Sequence, residues 1–556
     1  MPYQRSKGNG MKTVVIPCAG TGSRLGELTR NYNKAMITLG PKPVISYIIE
    51  HFTKNDEIII LLGYKGNFLR QVIKALYPDW NIKFREVDKF EGPGSGLGYS
   101  LSMAMDLLQK PFIFWPNDTL VDNDFNTLPY IGNWVMTGKR DRDSELYRHV
   151  LVSRDGNCTI LPKSSTGYID SYPYIGICYI KDYERFWKMF SKNRELFINE
   201  GEVVGINNLS YVADVPSEGW IDTGNVAELK KAQKDYSEKM EEVILEKPDE
   251  AIWFIDDRVV KFHVDYKFIS NRIRRFNTFL CDEQKKNGIK IPELLYHSDN
   301  VYVYRREPGV IASKYINPET FRKLLTKFFT DWGVYCAENE EALQIYNDFY
   351  RDKTLSRISK FLKQTNEHDD ECLINGLNCI SAERLVKKID WEFISRKGYF
   401  NENYHGDFHL ENILLQGDLN DPVFVMLDWR QDFGPGMGQV VGDVYYDLAK
   451  MWHSLIVNHQ MVKDELFSVR DYSENHYLID IHRTFLDTEM ERILEDFIDQ
   501  QGLDKVQAKL ITALVFLNIA ACHTYPYSRF LFYLGKYLLN KIYMEHTEIF
   551  KVEEDD

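Results

Sequence analysis

The chain has 556 residues, too long for a single hydrophobic core and long enough for two or more domains. With 44% hydrophobic and 27% charged residues it is neither a disordered nor a fibrous protein. A formal net charge of −14 argues against general nucleic-acid or anionic-membrane binding and points to small-molecule partners. Eight cysteines without a CxxC pair indicate a reducing compartment and no structural zinc. The longest apolar run, Leu510 to Cys522, falls short of the ~20 residues that span a bilayer. The polar start MPYQRSKGNG has no apolar core of a secretory signal. A cytoplasmic protein without membrane insertion is the expectation, with oligomeric state left open.

From Thr13 onward short apolar runs alternate with amphipathic segments. TVVIPCAG, EIIILLGY and PFIFWP read as buried strands and PVISYIIEHF as a helix, the alternation expected of a mostly parallel α/β sheet. The pattern lasts to about Asn225, where AELKKAQKDYSEKMEEVILEKPDE forms a charged helical stretch. AIWFIDDRVVKFHVD then reads as a pair of strands, followed by YVYRREPGV. From about Glu319 helical periodicity dominates, interrupted between Asn401 and Gly442. The expected organisation is an α/β domain over 11–240, a linker over 241–250, and a two-lobed α+β domain over 251–556. The small lobe of the latter covers 251–312, and the mainly helical large lobe 313–556. The two chain ends are expected to fray.

The first chemical constellation follows the first strand. In VIPCAGTGSRLGELT, Gly20, Thr21 and Gly22 permit a tight loop whose N–H groups can surround phosphate oxygens, with Arg24 beside them. Lys34 and Lys42 follow in NKAMITLGPKPVI. Asp118 ends the strand of WPNDTLV, and Asp222 stands in GWIDTGN. This ordered set, GxGxRLxxLT, a lysine, KP, a strand-ending Asp and WxDxG, resembles the nucleotidylyltransferases that activate sugar 1-phosphates and phosphocholine. The resemblance implies a Rossmann-like fold and the reaction NTP + R-phosphate → NDP-R + pyrophosphate. It further implies that the 20–24 loop and Arg24 hold the triphosphate, with Lys34 stabilising charge on the α-phosphate. Asp118 and Asp222 would bind Mg²⁺. Gly94, in the loop GPGSGLGYS, would contact base or sugar, and Lys163, in ILPKSS, the acceptor phosphate. Asn33 stands where the family usually has proline.

The second constellation is YHGDFHLENILL, with Asp407 and Asn412 five residues apart and an apolar strand, FVMLDW, leading to Asp428. In a kinase-type site an Asp orients the acceptor hydroxyl while an Asn and a second Asp hold Mg²⁺ on the phosphates. The segment 250–556 resembles the aminoglycoside phosphotransferase and choline kinase superfamily. That resemblance assigns Lys261, in RVVKF, to the ATP phosphates. The helical glutamate that usually pairs with this lysine is not evident: Glu283 lies late, and NRIRRFN offers arginines instead. Asp443 and Asp447, in GDVYYDLAKM, read as structural.

The two resemblances together imply a bifunctional enzyme that uses ATP, a second NTP (CTP or UTP) and Mg²⁺. It would phosphorylate a small hydroxylated acceptor and convert the phosphate into an NDP-activated donor for surface polysaccharide. A sugar or polyol acceptor is favoured, because Arg430 suits a polar or anionic group. The alternative is a choline or amino-alcohol kinase joined to a CTP:phosphocholine-type cytidylyltransferase, with Trp429, Tyr445, Tyr446 and Trp452 caging an ammonium by cation–π attraction. A further alternative pairs one nucleotidylyltransferase with a non-catalytic kinase-like module.

Overall fold

The computed structural model describes residues 10–139, 146–163, 171–237, 249–277, 285–286, 288–331, 335–336, 342–401, 404–431, 433 and 442–551. Most of the expected linker, Glu283 and both terminal tails lie outside the described residues. The chain divides into two compact units. One comprises Met1–Glu241, Pro248–Val264 and Tyr296–Val303; the other comprises Glu242–Lys247, Asp265–Leu295 and Tyr304–Asp556.

The first unit is built on a nine-stranded sheet. Strands β1 (Thr13–Cys18), β2 (Glu57–Leu62) and β3 (Ile82–Glu86) run parallel, and β4 (Phe112–Phe114) lies parallel to β1 on its other side. Every residue of β2 is buried, which is why its sequence is an unbroken apolar run rather than an alternating one. The helix α1 (Val44–Ile49) precedes β2, and α2 (Gly66–Leu76) forms the crossover to β3. A long antiparallel strand, β7 (Ser171–Ile180), pairs with β4 and with β6 (Asn133–Thr137). A separate two-residue ladder joins β5 (Thr119–Leu120) to β8 (Ile221–Asp222), with Asp222 opposite Thr119. This small ladder fixes the distance between two segments that are remote in sequence.

The expected strand pair is also present, as β9 (Glu250–Ile255) and β10 (Arg258–His263) in antiparallel register. It packs into the first unit. Phe254 N–H donates to the Pro41 carbonyl at 2.7 Å, and Trp253 Nε1 donates to Thr38 Oγ1 at 3.1 Å. Arg258 donates to the carbonyls of Ala75 and Leu76, where α2 has run out of its own N–H partners. The ring of Phe262 meets Tyr32 and Phe68 edge-on.

The second unit is dominated by helices, with a hairpin that follows the loop of the YHGDFHLENILL motif. Strands β11 (Ile413–Gln416) and β12 (Val423–Met426) pair antiparallel, Ile413 opposite Met426. The loop 404–412 precedes the hairpin and Asp428 follows it, so the hairpin returns both to the same edge. Beneath lies α4 (Val444–Ile456), twelve of whose residues are buried. The helices α5 (Lys505–Ala520) and α6 (Tyr527–Glu545) pack against each other. Gly535 permits that approach, since a Cβ there would stand 3.1 Å from the Ala513 carbonyl oxygen and 2.9 Å from Leu517. The apolar run from Leu510 is therefore a core helix, and among the described residues no helix is long and apolar enough to cross a membrane. The helical reading of 443–556 missed one feature, a hairpin of Phe467–Ser473 and His476–Ile481. Phe467 and Val469, and Tyr477, Ile479 and Ile481, recur at every second position and pack on the core, a strand signal that the helical reading passed over.

Candidate functional site

In the first unit the loop after β1 is closed by its own motif. Gly22 has φ 69°, and a Cβ there would meet Thr29 Cγ2 at 2.9 Å, so glycine is required twice over. Thr29 Oγ1 donates to the Gly22 and Gly26 carbonyls, which explains the threonine at the end of the motif. Asn33, in the place of the family's proline, makes the junction by hydrogen bonding. Its Nδ2 donates at 2.8 Å to the carbonyls of Cys18 and Tyr64, and its Oδ1 accepts from Ala35 N–H. The ends of β1 and β2 are thereby tied to the turn that carries Lys34.

Lys34 Nζ lies 2.8 Å from Asp118 Oδ2, and the exposed Arg24 guanidinium lies 3.7 Å from the same oxygen. Thr223 donates from both its N–H and its hydroxyl to the Asp118 carbonyl, and Tyr147 Oη donates to Asp222 Oδ2 at 2.8 Å. A Cβ on Gly224 would sit 2.7 Å from Asp118 Oδ2, 3.0 Å from Asp222 Oδ1 and 3.2 Å from Arg24. Both carboxylates and the guanidinium thus converge on one bare glycine. The two carboxyls are shifted in opposite directions. Burial raises the Asp118 carboxyl, but Lys34 and then Arg24 outweigh it and hold it low. Burial and the Asp118 charge raise Asp222, against the pull of Tyr147 and the Gly224 N–H.

The remaining residues singled out in this half are more dispersed. Lys42 Nζ pairs with Glu50 at 2.7 Å rather than with Asp118. Gly94 has φ 81° and a Cβ there would meet Lys89 Nζ at 3.0 Å. Nearby Gly96 and Gly98 press against the backbone of Ile198 and Phe197, so part of that glycine loop serves packing. Lys163 is exposed in a turn, and Lys261 stands on β10 opposite Ile252, in the first unit.

In the second unit the loop 404–412 is held by backbone and side chain together. Asp447, on α4, accepts from the N–H groups of His405 and Gly406 at 2.8 and 2.6 Å. Asn412 Nδ2 donates to the Asp407 carbonyl and to Asp407 Oδ2 at 3.0 and 3.1 Å. Lys450, one turn after Asp447, places Nζ 2.7 Å from Asp407 Oδ1. Burial would raise Asp407, yet Lys450 and then His409 keep it well below the usual carboxylate range. His405 is pushed down to about 3 by burial and is neutral; it stacks on Trp429 at 4.7 Å. Asp428 follows β12 with φ 59°, and Arg272 NH1 lies 3.5 Å from its Oδ1. Arg275, buried, donates to the carbonyls of Tyr404 and Arg430 and stacks over the Tyr404 ring at 3.8 Å.

Sequence reasoning missed Lys450, whose signal was only its helical spacing from Asp447, and Tyr147, which carries no motif. The arginines of NRIRRFN stood out as a departure from the family, and the structure sets Arg272 beside Asp428. The aromatic cage that the choline alternative calls for is not assembled. Trp452 Nε1 donates to Glu491, the Tyr445 hydroxyl accepts the Asp504 N–H, and Trp429 is buried against His405. The Tyr446 ring faces Arg430 and Lys353 instead of an open ammonium site.

No family model matches the chain. Its N-terminal part is similar to sugar-phosphate and phosphocholine nucleotidylyltransferases. It is 27% identical over 254 residues to the bifunctional protein GlmU of Methanocaldococcus jannaschii, covering 43% of this chain and 60% of that protein. It is 28% identical over 117 residues to the choline-phosphate cytidylyltransferase of Streptococcus pneumoniae, covering 21% of this chain and 48% of that one. With the D-glycero-alpha-D-manno-heptose 1-phosphate guanylyltransferase of Campylobacter jejuni the identity is 24% over 117 residues, covering 21% and 51%. The chain therefore spans 60% or less of the length of these curated relatives. The solved CTP:phosphocholine cytidylyltransferase of Streptococcus pneumoniae aligns at 19% identity with a TM-score of 0.34, over 40% of this chain and 99% of that one.

Proposed function

We propose that the N-terminal half transfers a nucleotidyl group from an NTP to a phosphomonoester, releasing pyrophosphate. The C-terminal half, on this reading, makes that phosphomonoester from ATP and a small hydroxylated acceptor. The observation that carries the first part is the convergence of Arg24, Asp118 and Asp222 on Gly224, with Lys34 paired to Asp118. Attack of a phosphate oxygen on an α-phosphorus asks a protein for in-line positioning and charge neutralisation, and Lys34 and Arg24 are the cations at hand for the latter. Lys34 is poised to leave Asp118 for the α-phosphate as charge builds there. Two carboxylates on one glycine, Asp222 raised in part by the Asp118 charge, with no third protein ligand among the described residues, suit a hard cation that takes its remaining ligands from substrate phosphates. Asp118 and Asp222 would hold Mg²⁺, which neutralises the triphosphate when bound. The similarity to a choline-phosphate cytidylyltransferase and to a heptose 1-phosphate guanylyltransferase supports the reaction type.

For the second unit the support is geometric. Asp407 is kept ionised by Lys450 and oriented by Asn412, as a group that accepts a hydroxyl proton must be. Asn412 and Asp428, returned to one edge by the β11–β12 hairpin, are the residues that would hold Mg²⁺ on the ATP phosphates. Lys261 stands in the first unit, so this part of the reading rests on Asp407, Asn412 and Asp428. A polar acceptor is favoured over choline, because Tyr446 already faces the chain's own cations.

The test of the N-terminal assignment supplies sugar 1-phosphates, phosphocholine and polyol phosphates with each NTP and Mg²⁺, and measures pyrophosphate release. Release with at least one pair, lost in Asp222→Ala, is expected. No release with any pair, or an unaffected Asp222→Ala, contradicts the assignment.

A further inference from the structure

Beside Asp407 the second unit gathers positive charge. Lys353, at the start of α3 (Lys353–Thr365), places Nζ 4.0 Å from the Phe349 ring centroid and 5.9 Å from that of Tyr446. The Arg430 guanidinium lies 4.9 and 5.7 Å from the same two rings, which meet edge to face at 5.0 Å. Arg357, one turn beyond Lys353, turns toward Cys522 Sγ at 3.1 Å. The link to the catalytic loop is direct. The Arg430 stem lies on Gly406, the neighbour of Asp407, where a Cβ would come within 2.4 Å of Arg430 Cβ. Tyr446 is one helical turn before Lys450, which touches Asp407.

A cation over an aromatic face needs no further explanation, but Lys353 and Arg357, one helical turn apart with no carboxylate beside either among the described residues, do. Burial, followed by Arg430 and Arg357, holds the Lys353 ammonium well below the usual lysine range, with Cys522 in weaker opposition. Among the described residues neither Lys353 nor Arg357 has a carboxylate partner. Like charges gathered in a half-buried place cost stability unless an anion offsets them.

We propose that Lys353, Arg357 and Arg430 form a binding site for an anionic group of the acceptor, a carboxylate or a phosphate ester, whose hydroxyl is presented to Asp407. The inference rests on the reading of Asp407 as the group that orients the acceptor. It narrows the acceptor from any hydroxylated metabolite to hydroxy acids, sugar acids and phosphorylated polyols. Lys353 and Arg357 act in binding; neither takes part in proton or phosphoryl transfer.

The test uses the full-length chain with ATP and Mg²⁺ and two matched sets of probes: glycerol, glycerate and glycerol 3-phosphate, and glucose, gluconate and glucose 6-phosphate. Within a set, the anionic members are expected to exceed the neutral one in kcat/KM by about 10- to 100-fold, mostly through KM. The better of the two anions tells carboxylate from phosphate. Lys353→Met is expected to erase this preference, and Lys353→Arg to keep most of it. Equal or better use of the neutral probe, or a preference intact in Lys353→Met, overturns the site. If no probe is phosphorylated, calorimetry with gluconate and glucose 6-phosphate decides. Binding that weakens about 10- to 100-fold in Lys353→Met upholds the anion site while the kinase reading falls, and absence of binding overturns the site itself.

Discussion

In the N-terminal site Lys34 reaches Asp118 at 2.8 Å from a turn 84 residues earlier in the chain, and in the C-terminal site Lys450 reaches Asp407 at 2.7 Å from a helix beneath the loop. The lysine–aspartate pair is the same, but its surroundings differ. Asp118 faces a second carboxylate, Asp222, and an exposed arginine, so two acids stand against two cations there. Asp407 is clamped by Asn412 and Lys450 while Asp447 secures the loop backbone. On the proposed reading one arrangement takes further cations with a polyanionic substrate, while in the other the chain's own Lys450 and His409 hold a single carboxyl low.

The widest gap between the two sites opens when each is disabled in turn. Asp407→Ala should lower acceptor phosphorylation by about 10²- to 10⁴-fold while pyrophosphate release from supplied R-phosphate persists. Asp118→Ala or Asp222→Ala should do the reverse, which separate assays of ADP and pyrophosphate would reveal. Next in size, Lys34→Met should reduce kcat of nucleotidyl transfer by about 10²- to 10³-fold and NTP affinity far less, because its charge matters most in the transition state. An equal loss in both would make Lys34 a ground-state ligand.

Lys450→Met sharpens the contrast from the other side. Without the ammonium the Asp407 carboxyl should rise, so the acid limb of the pH–kcat/KM profile for phosphorylation moves to higher pH. A lower rate with an unmoved limb would reduce Lys450 to a packing role. The smallest effect is on stability. Burial raises Asp443 to about 6, against hydrogen bonds from Tyr346, the Tyr445 N–H and Tyr350. The folded form thus binds its proton more tightly than the unfolded chain, and this contribution is lost as pH rises from about 4 to about 6. Relative to wild type, Asp443→Asn should gain about 3 kcal/mol across that window, measured by denaturant unfolding at each pH.

How much of this was legible follows from how each feature is encoded. The strands β1, β2 and β4 are continuous apolar runs and stood out at once. The loop 404–412 is compact in sequence because one turn must hold Asp407 and Asn412 together. Asp118 and Asp222 were each visible at a strand end, but nothing local says that a two-residue ladder brings them together. Lys450 and Tyr147 were invisible because a single polar residue on a helix or in a loop acquires its role only from what the fold sets opposite it. The aromatic residues near 428–452 read as a cage from composition alone. Ring direction decides that question, and the structure turns Trp452 and Tyr445 to other partners.

The most direct measurement of the whole account is a single incubation of the purified chain with ATP, a second NTP, Mg²⁺ and unphosphorylated acceptors, followed by mass spectrometry. The account predicts an NDP-linked product from wild type, accumulation of the phosphomonoester in Asp222→Ala, and neither species in Asp407→Ala. An NDP-linked product from Asp407→Ala, or a wild type that yields it only from supplied phosphomonoester, would contradict it.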